Sequence, residues 1–404
     1  MSYKKRLNKN ITFAYISCFF SALIFVIPIW VAYQRRVLTF TQMAFFSSIA
    51  YATTTFLELP TGALADLLGR RKTIMLGWLI AALSNVYLAF ASSVLMFFSG
   101  FVVRAMGEAL ISGADTALIF DTLKELKREN YFSKYMARAG LIYRSALVLA
   151  TFLGGYLYQI WMGLPYALMG LTELLVIIFI FLMIEPRIDT EKFTLKSYVR
   201  QTRDGFKELL KSSYMKKLTV YYTVVGGITW TCLYYFNQPF AKDLGFSEIG
   251  LSWLFGTLYL ISSLLILVLT EKEELLTRNR VYLGFPIIMS LALLPGIFAT
   301  KITGPLLLLG IMFAGSSRFA ILDKYANKEF LSKYRATAVS SLNMLVSLFY
   351  IVVVGISGKI QDLYNTKLIF TLLGILTLFL VWPSSLSLVR EYKAYLVRKN
   401  NNQS

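Results

Sequence analysis

Twelve runs of mostly apolar residues divide this chain, each close to the ~20 residues that a helix needs to cross ~30 Å of hydrocarbon. They lie near 11–33, 42–61, 73–92, 94–120, 139–160 and 164–184, and again near 218–238, 249–270, 281–299, 304–322, 336–356 and 368–389. A water-soluble core would have to bury every run, whereas a bilayer accepts each one directly. Composition agrees, because 57% of the 404 residues are hydrophobic and only 16% are charged, less charge than soluble domains usually carry. The expected fold is an all-α polytopic membrane protein. Six transmembrane helices fall in 1–184, a polar cytoplasmic linker in 185–217, and six more in 218–404.

The net charge of +19 raises the question of nucleic acid, and the placement of the cations decides it. When the N-terminus and every second loop are assigned to one side, that side holds 32 Lys and Arg. The opposite loops hold six, Arg35, Arg36, Lys242, Lys301, Lys359 and Lys367, and Arg104, Arg144 and Arg318 fall within spans. This asymmetry places both termini in the cytoplasm of a plasma-membrane protein. A nucleic-acid-binding protein gathers its cations on one face, whereas these are scattered through short loops beside anionic headgroups. The basic segment MSYKKRLNKN precedes a first span too long for a signal peptide, with no small-residue cleavage site, so the span is expected to be retained. Cys18 and Cys232 lie inside apolar runs and read as small core residues, not as a disulfide or a metal pair. There is no histidine and no GxxxxGK[ST] loop, so neither a cofactor, a resident metal nor direct ATP drive is expected.

Between the second and third runs stands GALADLLGRRK, Gly62 to Lys72. An acid, two glycines and three consecutive cations share what reads as a short polar loop. The two halves also echo each other. DTLKELKRENYFSKYMARAG from Asp121 and DKYANKEFLSKYRATAV from Asp323 each run from an Asp through a charged segment to Ser-Lys-Tyr, Ser133 to Tyr135 and Ser332 to Tyr334. With the six-plus-six layout, this favours two structural repeats.

The chain thus resembles the major facilitator superfamily of secondary transporters over essentially its whole length. The resemblance rests first on Gly62, Asp66, Gly69, Arg70, Arg71 and Lys72, which match the family's signature between spans two and three in spacing and place. It implies a conformational latch, formed by Gly62, Asp66, Gly69, Arg70 and Arg71, that ties the two halves on the cytoplasmic side and releases during alternating access. In the fourth span, RAMGEALISGAD from Arg104 is similar to the family's second motif, although Gly107 comes one place early and Glu108 takes the glycine's position. The resemblance implies that Arg104 helps couple proton binding to conformational change; a structural ion pair is the alternative. Two departures stand out. EKEELLTRNR from Glu271 lacks the glycines of the signature, and the fifth span offers LGGYLY from Leu153 where drug antiporters carry Gly-Pro.

Without histidine, a proton carrier must be a carboxylate, and the acids within or near spans are Glu58, Glu108, Asp115 and Glu173. Arg104 and Glu108, at i and i+4, share a helix face and can pair. Glu108 is the leading coupling residue, with Arg104, Asp115 and Glu58 beside it; Glu58 could instead belong to the latch. For the substrate cavity, the resemblance selects Trp30, Tyr33, Trp230, Tyr234 and Asn237, a largely aromatic set suited to apolar, planar or cationic solutes. Trp and Tyr also gather at membrane interfaces, and belt residues are the competing reading. The expected function is proton-coupled efflux of amphiphilic or drug-like small molecules by a monomer. The alternatives are an importer of a small metabolite and a non-transporting receptor or scaffold of the same fold. No nucleophile-base pair points to an enzyme.

Overall fold

The computed structural model describes residues 2–187, 195–272, 274, 276–331 and 335–401. Residues 188–194 of the expected linker, and the Ser332 to Tyr334 half of the sequence repeat, lie outside the described residues. Among those described, the regular structure is helical throughout. The chain divides into two compact units, Met1–Tyr198 with Ser247–Gly256, and Val199–Phe246 with Thr257–Ser404.

The first unit holds α1 (Tyr3–Ser21), α2 (Trp30–Gln34), α3 (Phe40–Leu68), α4 (Arg70–Ala89), α5 (Val94–Ile111), α6 (Ala114–Glu125), α7 (Phe132–Ile160) and α8 (Leu164–Leu182). Local sequence explains several of the starts. Thr39 and Gln42 close a reciprocal capping box on α3, and the Ser93 hydroxyl accepts the Met96 N–H on α5, each satisfying donors that the first turn would leave unpaired.

Three expectations need correction. The stretch from Gly62 to Lys72 is not a loop, because α3 runs to Leu68 and α4 starts at Arg70. Gly69 alone makes the turn, at φ +89°, a conformation that costs an L side chain and suits glycine. The polar residues misled because they decorate two helix ends, where charge is solvated without breaking the backbone. The run at 11–33 is interrupted: α1 stops at Ser21 and α2 spans only five residues. The run at 94–120 is broken at Ser112 and Gly113, between α5 and α6.

Packing within this unit centres on α4, which lies against both α5 and α8. Its approach to α5 is backbone to backbone: a Cβ on Gly77 would stand 2.7 Å from the Gly107 carbonyl, and one on Gly107 would stand 2.7 Å from the Gly77 carbonyl. Small residues at such a crossing give membrane helices van der Waals contact that lipid cannot match. Hydroxyls add to this, with Thr54 and Thr61 donating to the Ala105 and Ala109 carbonyls at 3.3 and 2.9 Å, and Ser84 to the Gly100 carbonyl at 2.7 Å. Ile74, Leu118, Leu123, Val176 and Met183 form the buried core at the end where α4 begins.

The second unit holds most of α9 (Leu195–Leu210), then α10 (Ser213–Thr231), α11 (Asn237–Asp243), the later part of α12 (Glu248–Glu271), α13 (Arg278–Leu293), α14 (Gly304–Ser317), α15 (Asp323–Glu329), α16 (Arg335–Leu363), α17 (Thr366–Leu376) and α18 (Trp382–Asn401). Three π-helical turns, Cys232–Phe236, Arg318–Leu322 and Thr377–Val381, join α10 to α11, α14 to α15 and α17 to α18. Among the described residues, eight helices are long and apolar enough to cross a membrane, and α14 is a shorter apolar helix.

Candidate functional site

A buried charge network crosses the first unit. Arg104 on α5 is 20% exposed and serves two carboxylates: its Nε lies 3.0 Å from Glu108 Oε1, and its NH1 lies 3.1 Å from Glu173 Oε1 on α8. The second Glu173 oxygen, Oε2, accepts the Asn85 side-chain amide of α4 at 2.7 Å. The guanidinium of α5 and the amide of α4 thus converge on one glutamate of α8 that is only 2% exposed. Each of the network's three charged groups has a partner, which is the condition for burying charge at all.

The i, i+4 pair foreseen from the sequence is present, but it is the outer half of the network. The sequence marks Glu173 only as one of the acids near spans and gives Asn85 no role. A polar amide inside the run 73–92 was the available signal for the latter, since an intramembrane Asn needs a partner. The two acids differ in access: Glu108 is 47% exposed and Glu173 is enclosed. A proton reaching Glu108 leaves Arg104 still paired with Glu173.

Beside the network lies an open cavity of about 550 Å³ lined by residues of α1, α4, α5, α6, α7 and α8. Arg104, Glu108 and Asp115 are its charged lining residues, with Trp78, Tyr135 and Tyr143 as aromatic walls. Asp115 follows the break between α5 and α6, and its Oδ1 accepts from the Thr116 backbone N–H at 2.6 Å and from the Thr116 hydroxyl at 3.2 Å. Glu58, on α3, accepts the Ser112 hydroxyl at 2.7 Å, so it sits at the same break. Cys18 also lines the cavity; its thiol donates to the Ala139 carbonyl at 3.4 Å, and both cysteines are free.

The glycine elbow is fastened from within its own unit. Glu185 receives the backbone N–H of Arg70 at 2.8 Å on one oxygen and that of Arg71 at 3.0 Å on the other, capping the positive end of α4 with a carboxylate. The Arg70 side chain pairs with Asp121 on α6. Arg71 donates to the carbonyls of Met183 and Phe181 at 2.6 and 3.3 Å. Asn10 continues the clamp, exchanging hydrogen bonds with the Ile184 backbone and donating to Thr122 at 3.1 Å. Gly62 and Asp66 lie on α3, but their side-chain positions are outside the described residues. In the sequence Glu185 is only the first residue of a polar linker.

The second unit repeats part of this. Arg278, at the start of α13, pairs with Glu329 on α15, as Arg70 at the start of α4 pairs with Asp121 on α6. Its guanidinium lies 5.3 and 5.0 Å from the Tyr325 and Tyr392 rings and donates to the Tyr214 hydroxyl at 2.9 Å. The glycines of the signature are absent there, yet the ion pair survives. Asp323 instead accepts the Tyr222 hydroxyl at 2.6 Å.

The aromatic residues expected around substrate fall elsewhere than this cavity. Tyr33 is buried, donating to the Leu88 and Ala89 carbonyls at 2.7 and 2.8 Å, with Trp30 packed against the same cluster. In the second unit Trp230 stacks obliquely on the exposed Tyr234 at 5.0 Å and lies 5.1 Å from the Arg318 guanidinium, and Asn237 is buried.

The sequence model of the Major Facilitator Superfamily matches residues 11–237, more than half of the chain. The chain belongs to that superfamily. It is 25% identical over 363 residues to the uncharacterized MFS-type transporter YxaM of Bacillus subtilis (strain 168), covering 87% of this chain and 88% of that one. Among solved structures it resembles the nucleoside transporter NupG, with a TM-score of 0.72 at 13% identity over 96% of this chain and 99% of that one. It also resembles the POT family transporter PepTSo, with a TM-score of 0.71 at 14% identity over 98% and 99%. A third is the bacterial homologue of the human lysosomal transporter Spinster, 0.70 at 14% identity over 96% and 98%. At such identities these structures bear on fold alone, and the fold is that of the superfamily. This superfamily member is a multi-pass membrane transporter of small molecules.

Proposed function

We propose that this transporter exports amphiphilic or drug-like compounds across the plasma membrane in exchange for protons, working as a monomer by alternating access between two six-helix halves with both termini in the cytoplasm. The observation that carries the coupling is the division of labour around Arg104: a buried partner, Glu173, and a reachable partner, Glu108, on one guanidinium. Glu108 takes and releases the proton, while Glu173 keeps Arg104 neutralised in both states. Arg104 therefore never stands alone in low dielectric, which would cost several kcal/mol. Asp115 and Glu58, at the helix break beside Glu108, form the polar route to it. Gly62, Asp66, Gly69, Arg70 and Arg71 serve as the latch. Trp30, Tyr33, Trp230, Tyr234 and Asn237 remain as the aromatic flank of the substrate path.

The test is growth of a host stripped of its own efflux systems on a panel of amphiphilic toxins, with the Asp66→Asn variant alongside. Protection that the variant loses is the expected result. Absence of protection against every compound would overturn export.

A further inference from the structure

Three cations on one helix of the second unit stand apart from the charge networks described above. Arg200, Arg203 and Lys207 follow one another on α9 at spacings of three and four, which sets them on a single face, one turn apart. All three are exposed. Arg200 and Arg203 have no ion-pair partner among the described residues, and Lys207 lies 3.6 Å from Asp204 at the edge of the face.

The opposite face of α9 is moored. A Cβ on Gly205 would stand 2.8 Å from the Thr337 methyl and 2.9 Å from the Thr337 carbonyl oxygen, so the helix lies directly on α16 there. Leu209 is fully buried, and its carbonyl accepts the Thr219 hydroxyl of α10 at 3.1 Å. Lys211, just beyond the helix, donates at 2.8 Å to both the Glu208 carboxylate and the Glu329 carbonyl. These contacts prevent α9 from rolling about its axis, and the three cations point away from the helices it rests on.

The mooring points also fix its depth. Thr219 is the second residue of the apolar run 218–238, and Thr337 and Ser341 lie in the first two turns of the run 336–356. The helix therefore lies level with the boundary between hydrocarbon and headgroups. Leu210, three residues after Lys207 and seven after Arg203, shares their face and is 55% exposed. Water gives an apolar side chain there nothing, whereas the acyl boundary of a leaflet solvates it.

We infer that the exposed face of α9 is a docking surface for anionic phospholipid headgroups of the adjoining leaflet, the cytoplasmic one in the proposed topology. Phosphates accept the N–H groups of Arg200, Arg203 and Lys207, while Leu210 enters the acyl boundary. The surface goes beyond the exchange reading and does not depend on which substrate is carried. Because Lys211 ties the end of α9 to Glu329, the partner of Arg278, lipid held on this face bears on the ion pair that repeats that of the elbow.

The test is hydrogen–deuterium exchange on the full-length protein in two kinds of nanodisc, one of phosphatidylcholine alone and one of two parts phosphatidylcholine to one part phosphatidylglycerol. Peptides covering 199–210 should exchange about fivefold slower with phosphatidylglycerol present, and high salt should abolish the difference. Arg200→Gln, Arg203→Gln and Lys207→Gln combined should remove the slowing, whereas Arg200→Lys with Arg203→Lys should keep it. Exchange in the remaining helices checks that each variant is folded and that the effect is local. Equal exchange in the two nanodiscs, or slowing that persists in the folded glutamine variant, would overturn the inference. Soluble polyglutamate that slows the same peptides in phosphatidylcholine as much as phosphatidylglycerol does would assign the face to an acidic protein partner and overturn the lipid assignment.

Discussion

At the scale of single residues, the two glutamates around Arg104 have the same chemistry and different surroundings, and their substitutions should separate accordingly. Glu173 is enclosed and doubly bonded, so Glu173→Gln removes a buried charge and is expected to lower stability by about 3 kcal/mol. Glu108 is half exposed and Arg104 retains its other partner, so Glu108→Gln should cost less than about 1 kcal/mol. Thermal unfolding of the two variants in detergent checks the order; a larger drop for Glu108→Gln would contradict it. The sequence made the Arg104–Glu108 contact legible because i, i+4 geometry is local to one helix. It could not place Glu173 or Asn85 against Arg104, because that contact joins α4, α5 and α8 and depends on a backbone approach at Gly77 and Gly107 that letters do not encode.

At the scale of elements, the elbow between α3 and α4 depends on one residue and one cap. Gly69→Ala should cost about 1–3 kcal/mol through backbone strain at φ +89°, since its Cβ would meet the Glu185 carboxylate no closer than 3.4 Å. Glu185→Gln should cost about 0.5–1 kcal/mol, because the amide still accepts one N–H but loses the charge at an exposed helix N-terminus. Equal, negligible effects of both in a thermal-shift series would show that the elbow is not a fastening point. The polar stretch was legible as a special segment, and its glycines as the reason. That the helices run almost to contact was not, because charged residues at helix ends look the same as charged residues in a loop. The repeat is legible only in part: it matches Asp121 with Asp323, whereas Arg70 pairs with Asp121 and Arg278 pairs with Glu329, six residues beyond Asp323.

At the scale of the whole molecule, the apolar runs were enough to read the fold class, since hydrocarbon tolerates little else than helices with their backbone bonds closed. Interruptions were the harder part. The gap after Ser21 and the break at Ser112 and Gly113 fall inside apolar runs, where hydropathy is blind to whether the backbone continues. The second of these breaks is where Glu58, Ser112 and Asp115 gather, so the feature least visible in the sequence organises the acids beside the cavity. The sharpest measurement is proton flux in proteoliposomes carrying an internal pH-sensitive dye, with ethidium added against a gradient and Glu108→Gln reconstituted in parallel. Proton movement driven by ethidium in the wild type and lost in Glu108→Gln is the expected result; identical flux in the two would contradict proton exchange at Glu108.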